Sequence, residues 1–234
     1  MNAIRLTVTA AALAGALVST AVEASPIVHD SIADFTTIQN VQGGATGNSA
    51  AVNTTVAAIR PDRVAIANMF DGNANTMYSM GFGGTLNLLI APTTNTITSG
   101  SVIELTTGGV DHREAAQIYL GTDLGGWQLI GTVLNAAASG SASGIGSVIN
   151  VANPFASLSF VTTANGQSSF VLTVTDGAFN TLRLVDASTP TGREQDGFDI
   201  AELRVTSVPE PATLALLGAG LLGLGFAARR RKAA

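Results

Sequence analysis

The 234-residue chain has no cysteine. That absence excludes disulfide frameworks, thiolate-ligated zinc, iron–sulfur clusters and cysteine nucleophiles together. Charged residues make up only 12%, aromatic residues 5%, and histidine occurs twice, as His29 and His112. The hydrophobic share of 46% is nonetheless too high for a disordered chain. Basic charge is placed badly for a nucleic-acid binder. Arg229, Arg230, Arg231 and Lys232 sit at the far end and Arg5 near the start, which leaves six Arg and no Lys against fourteen Asp and Glu between residues 25 and 208. A segment of net charge −8 does not hold a polyanion, so no nucleic acid is expected. Divalent cations are its natural partners.

Long apolar runs are confined to the two ends. Residues 1–24 carry one cation, Arg5, then the mostly apolar stretch Leu6 to Val18, then the small-residue exit Val22-Glu23-Ala24. That order is the order of a secretory signal peptide cleaved after Ala24. At the other end, Val208-Pro209-Glu210-Pro211 precedes an apolar run over 212–228 and the basic cluster. A helix over 212–228 is about 25 Å long, enough to span a membrane of about 30 Å with snorkelling flanks. The basic tail then stays on the cytoplasmic side. Gly218, Gly220 and Gly223 have the spacing of a dinucleotide-binding loop. No strand precedes them and no acidic residue follows, so they read as ordinary membrane-helix glycines.

Pro209, Glu210 and Pro211, the apolar helix and the arginine cluster together resemble a PEP-CTERM sorting signal over 208–234. The resemblance implies export across the inner membrane and membrane anchoring before processing near the triplet. The processing enzyme is a transpeptidase-like exosortase, in bacteria that make extracellular polysaccharide. It implies a destination in the cell envelope or outside the cell, and no activity.

Between the ends, residues 25–207 read as one all-β domain. Short alternating apolar runs bounded by turn residues predict strands over Thr85–Ile90, Ser101–Thr106, Ala116–Leu120, Trp127–Val133, Ser169–Val174, Thr181–Val185 and Ile200–Val205. That number of short strands predicts an antiparallel β-sandwich of the jelly-roll kind. Gln42–Asn53 and the Ala/Ser/Gly-rich Asn135–Ser147 read as loops.

The turn Asp71-Gly-Asn-Ala-Asn-Thr76, followed by Tyr78, gathers carboxylate, amide, hydroxyl and carbonyl oxygens in a short arc. Calcium takes six to eight hard oxygen ligands, and a remote carboxylate closes such a cage; the same turn also serves as a plain Asx turn. With the strand Leu86–Ile90, the segment Ala116–Asp123, Trp127, the strand Thr181–Val185 and the late Ile200-Ala-Glu-Leu-Arg-Val205, the turn resembles the discoidin family of galactose-binding-like jelly rolls, over about residues 68–206. The resemblance implies a structural calcium on Asp71, Asn73, Thr76 and Glu202, with Asn73 and part of Thr76 acting through backbone oxygens. Tyr78 stands where Trp is common, and the usual aspartate is missing from Leu86–Ile90.

Glu194, Asp196 and Asp199 form a second acidic group around Gly197-Phe198, which reads as a solvated acidic turn or a second metal contact. Simple alternation places Phe198, Ile200 and Glu202 on one face of the last strand. No nucleophile elbow, zinc-binding helix or phosphate loop is present. Asp111-His-Arg-Glu114 reads as an exposed turn, and Asp30 with Asp34 as a carboxylate pair of unknown separation. Trp127 and the few other aromatics read as core. These features point to a non-catalytic, exported binding module that contacts extracellular polysaccharide. The alternatives are a glycan-active hydrolase and a purely structural surface protein.

Overall fold

The computed structural model describes residues 24–45, 61–73, 75–104, 113–136, 146–162, 167–189, 196–210 and 220–221. Most of the signal peptide, all of the helix expected over 212–228 except the helical Gly220 and Leu221, Pro211 and the basic cluster lie outside the described residues, as do Asp111, His112 and Glu194. Among the described residues, no helix is long and apolar enough to cross a membrane. Pro26–Pro209 forms a compact unit of its own.

Its strands are β1 (Ile27–His29), β2 (Phe35–Val41), β3 (Tyr78–Ser79), β4 (Thr85–Ile90), β5 (Asn95–Glu104), β6 (Arg113–Thr122), β7 (Gly125–Ala136), β8 (Gly146–Asn150), β9 (Ala156–Thr162), β10 (Ser168–Val174), β11 (Thr181–Asp186) and β12 (Asp199–Pro209). They build an antiparallel sandwich. The first sheet runs β1-β12-β5-β10-β9, with β3 also on β12, and the second runs β2-β4-β11-β6-β7-β8. The period of two along each strand decides which side chains meet between the sheets. Leu86, Leu88 and Ile90 of β4, Leu120 of β6, Ile130 of β7 and Leu184 of β11 are fully buried from the second sheet. Ile97, Phe170, Ile200, Leu203 and Val205 meet them from the first. Each such side chain contributes roughly 1.5–3 kcal/mol by leaving water.

All seven strands expected from the sequence are present, though β5 begins earlier, at Asn95, and β12 runs on to Pro209. The five that the pattern did not reveal are the two-residue β3 and the four edges, β1, β2, β8 and β9. Edge strands bury less, so their alternation is weak: Val41 is 67% exposed and Ile149 60%. Part of each expected loop is ordered structure. Gly44 bridges Phe82, and β7 and β8 pair into the second loop as far as Asn135 and Gly146.

A β-bulge between Ile200 and Glu202 corrects the expected face of β12. The extra residue shifts the alternation, so Leu203, Val205 and Ser207 point inward while Glu202 and Arg204 point out. Ahead of the bulge, three chain segments cross closely. Gly43 donates to the Met80 carbonyl, Phe82 to Gly44, Gly81 to Asp196 and Met80 to Phe198, each at 2.8–3.0 Å. Asp186 ties this crossing together from β11, its carboxylate accepting the backbone N–H of Gly83 at 2.8 Å and of Phe198 at 2.9 Å.

Candidate functional site

The turn expected to hold calcium is closed by its own side chains. Asp71 accepts the Asn73 N–H at 2.8 Å and the Thr76 hydroxyl at 2.6 Å, and the Asn73 carbonyl accepts from Thr76 N–H at 3.0 Å and from its hydroxyl at 2.8 Å. Gly72, at φ +69°, supplies the left-handed residue that lets the chain turn there. Glu202 comes from the far end of the sequence. A cleft of about 240 Å³ brings it beside the turn, lined by Asp30, Phe70, Asp71, Gly72, Glu202 and Arg204. The donors are all oxygen, the kind that calcium takes, and Asp71, Asn73, Thr76 and Glu202 could supply two carboxylates, a carbonyl and a hydroxyl. Two features oppose a tight site as it stands: Arg204 pairs with Glu202 at 2.5 Å, and among the described residues no three acidic or histidine side chains gather at metal-binding range.

Asp34 is tied into its own turn. Its carboxylate accepts the Ser31 hydroxyl at 2.7 Å and the Ser31 and Asp30 N–H groups, and the Ser31 hydroxyl bond leads in holding it below the ordinary carboxylate range. His29 is buried between Ser207 Oγ, 2.7 Å away, and the Asp34 carbonyl.

The second acidic group is not a solvated turn. Asp196 is 5% and Asp199 1% exposed, because Gly197, at φ +77°, turns the chain into the sandwich end ahead of β12. Arg63 ion-pairs with Asp196, and the Ser79 hydroxyl sits between the two carboxylates, bonded to Asp199 and 3.2 Å from Asp196. Glu114 accepts the Asp199 N–H at 3.3 Å, and Glu104 is fully buried nearby. Burial pushes the Asp199 carboxyl well above the usual carboxylate range, and the neighbouring charge of Asp196 adds to the shift. Asp186 moves in the same direction through burial, against the bonds it accepts. The Arg63 guanidinium is held in its charged form by Asp196 in spite of burial. Sequence reasoning located Asp196 and Asp199 but not their partners, which lie more than 80 residues away along the chain.

Trp127 is a correction. It is not in the core; it is half-buried on the outer face of the second sheet. Gly121 lies beneath it: a Cβ there would come within 2.7 Å of the indole and 3.0 Å of Thr181 Oγ1, so only glycine leaves room for the ring to lie across β6. The Arg183 guanidinium stacks on the indole at 4.9 Å from the ring centre. Register places Gln39, Asn87, Arg183 and Tyr119 in one row across β2, β4, β11 and β6. Three polar atoms on this face are buried without a partner: Asn87 Oδ1, Thr181 Oγ1 and Arg183 Nε. Alternation of buried Leu182 and Leu184 with Arg183 was the sequence signal for this face.

These features define an antiparallel β-sandwich: two sheets, a cleft at one turn where carboxylates meet apolar side chains and Arg204, and a C-terminal strand that continues into a signal. The signal itself is a PEP-CTERM protein-sorting motif, matched over residues 207–232. No curated protein sequence matches the chain. Among solved structures, the chain is similar to the family 32 carbohydrate-binding module of Clostridium perfringens NanJ, solved with galactose, at 15% identity over 73% of this chain and 92% of that one, TM-score 0.36. It is similar to a second such module, from a family 31 glycoside hydrolase of the same organism, at 15% identity over 71% and 90%, TM-score 0.39. A chitosan-binding module from a Paenibacillus chitosanase/glucanase aligns at 11% identity over 76% and 99%, TM-score 0.37. At these identities and scores no ligand carries across.

Proposed function

We propose that this protein is an exported, non-catalytic binding module of the cell envelope or extracellular matrix that contacts extracellular polysaccharide. The observation that carries this reading is the position of the sorting motif. It begins at residue 207, inside β12, and β12 pairs with β1, β3 and β5 within the first sheet. The sandwich is therefore continuous with the signal and is the cargo that an exosortase-type enzyme would release near Pro209, Glu210 and Pro211. An aromatic and amide-lined sheet face supports a glycan as the partner, since sugars offer C–H faces to rings and hydroxyls to amides. Affinity electrophoresis of Pro26–Pro209 in gels cast with extracellular polysaccharides tests the reading. Retardation by at least one polymer without its cleavage is expected; retardation by none, or turnover, would overturn it.

Calcium on Asp71, Asn73, Thr76 and Glu202 is part of the proposal. When bound, the ion would neutralise the two carboxylates and tie the turn to β12, with Arg204 released from Glu202. Calcium at about 100 times its dissociation constant adds about 2.7 kcal/mol, which at roughly 2–4 °C per kcal/mol raises the melting temperature by about 5–10 °C. Glu202→Ala is expected to remove that rise. Identical melts in calcium and in chelator would eliminate the site.

A further inference from the structure

The outer face of the second sheet carries charge of one sign. Strand register arranges it in three rows through Thr181, Arg183 and Val185, from β2 across to β7 and β8. Arg183 is the only charged residue in those rows, on a domain whose formal charge is strongly negative. Among the described residues, no carboxylate pairs with it. Its guanidinium rests on the Trp127 indole, and its Nε has no hydrogen-bond partner. Beside it, Asn87 donates to Gln39 at 3.3 Å while Asn87 Oδ1 stays unpartnered, and the Tyr119 hydroxyl donates to Gln117 at 2.8 Å. The nearest acidic residue at the Trp127 end, Asp123, is engaged by the Asn180 amide at 2.8 Å.

We propose that this face binds an acidic glycan, a chain bearing uronate carboxylates, with Trp127 stacked on a sugar ring and Arg183 paired with a carboxylate. The proposal rests on the polysaccharide reading above and names the class of polymer and the surface. A guanidinium meets a carboxylate through two parallel N–H···O bonds; Arg183 Nε is buried, so the two terminal Nη groups are the donors such a pair would use here. An indole offers its face to the C–H groups of a pyranose. Gln39, Asn87, Gln117 and Tyr119 offer amides and a phenol to ring hydroxyls along the row. A polyphosphate fits worse, because it needs several cations and these three rows hold one.

The test uses Pro26–Pro209, whose core closes within itself, after a cooperative melt of each variant. Its migration is compared in gels of polygalacturonate, alginate and fully methyl-esterified pectin, and against single-stranded DNA. Retardation by an acidic polymer, and much less by the esterified one, is expected. Arg183→Gln and Trp127→Ala should each weaken the acidic interaction about tenfold or more, the scale of one charge-assisted hydrogen bond or one stacked ring. Gln39→Glu, at an exposed position on the same row, adds a like charge without disturbing the core and should also weaken it. Acidic binding that survives Arg183→Gln and Gln39→Glu would overturn the inference, as would equal retention by single-stranded DNA. Binding only to neutral or esterified polymers would overturn it and leave the polysaccharide reading standing. Binding to no polymer would remove both.

Discussion

Gly81→Ala is expected to lower the melting temperature of Pro26–Pro209 by on the order of 10 °C, and Gly83→Ala by much less. The two glycines share φ +73°. An alanine at either therefore meets the same left-handed penalty of about 1–2 kcal/mol. What differs is what surrounds them. A Cβ at Gly83 meets nothing within 4 Å, whereas one at Gly81 would sit 2.6 Å from the Gly43 carbonyl carbon and 2.8 Å from its Cα. Backbone cannot rotate aside as a side chain can, so the crossing segments must separate. Separation strains the bonds from Gly43 to Met80, Phe82 to Gly44 and Gly81 to Asp196. Overpacking of this kind costs about 1–3 kcal/mol, which with the backbone term gives about 2–5 kcal/mol, at roughly 2–4 °C each for a domain of this size. Equal losses at the two positions would show that the close approach contributes nothing.

Stability is expected to fall as pH rises above the ordinary carboxylate range, and Asp199→Asn is expected to flatten that slope and raise the melting temperature at the alkaline end. A carboxyl whose pKa is higher folded than unfolded keeps its proton in the folded state at pH values where the unfolded chain has lost it. Folding then takes up protons, and stability declines from the ordinary carboxylate pKa up through the folded one. Asp199 and Asp186 both lie on that side, driven first by burial. Each unit of upward shift corresponds to about 1.4 kcal/mol at high pH. Asparagine removes the charge and still accepts from Ser79, so the variant loses the penalty and keeps the bond. Asp34, held in the other direction by Ser31, is a surface group and opposes the trend weakly. Melts of the wild type and Asp199→Asn over that rise in pH decide the matter. An unchanged slope in the variant would assign the pH dependence elsewhere.

Central strands and edge strands were not equally legible. Leu86, Leu88 and Ile90 are buried because both neighbours of β4 are strands and its inner face is wholly covered, so the strand reads clearly as an apolar run even though Leu89 interrupts the period of two. β2 and β8 have a partner on one side only, and exposed Val41 and Ile149 blur the pattern there. The site residues divide in the same way. Asp71, Asn73 and Thr76 could be read as one group because a turn gathers neighbours in sequence. The pairing of Arg63 with Asp196, and the stack of Arg183 on Trp127, join positions far apart and had no local signature.

The sequence alone determined the sorting motif, the all-β class and the exclusion of cysteine chemistry, because each depends on composition or on spacing along a few consecutive residues. Only the tertiary structure decided that Asp196 and Asp199 are buried, that Glu202 faces the Asp71 cleft beside Arg204, and that Trp127 lies outside the core. Each of these turned on a single local event whose effect appears across the sheet. A left-handed glycine at 197 turned the acidic segment inward, a one-residue bulge reversed the faces of β12, and a missing side chain at Gly121 made room for an indole. Packing between distant strands, rather than the order of residues, sets where such events place a charge or a ring.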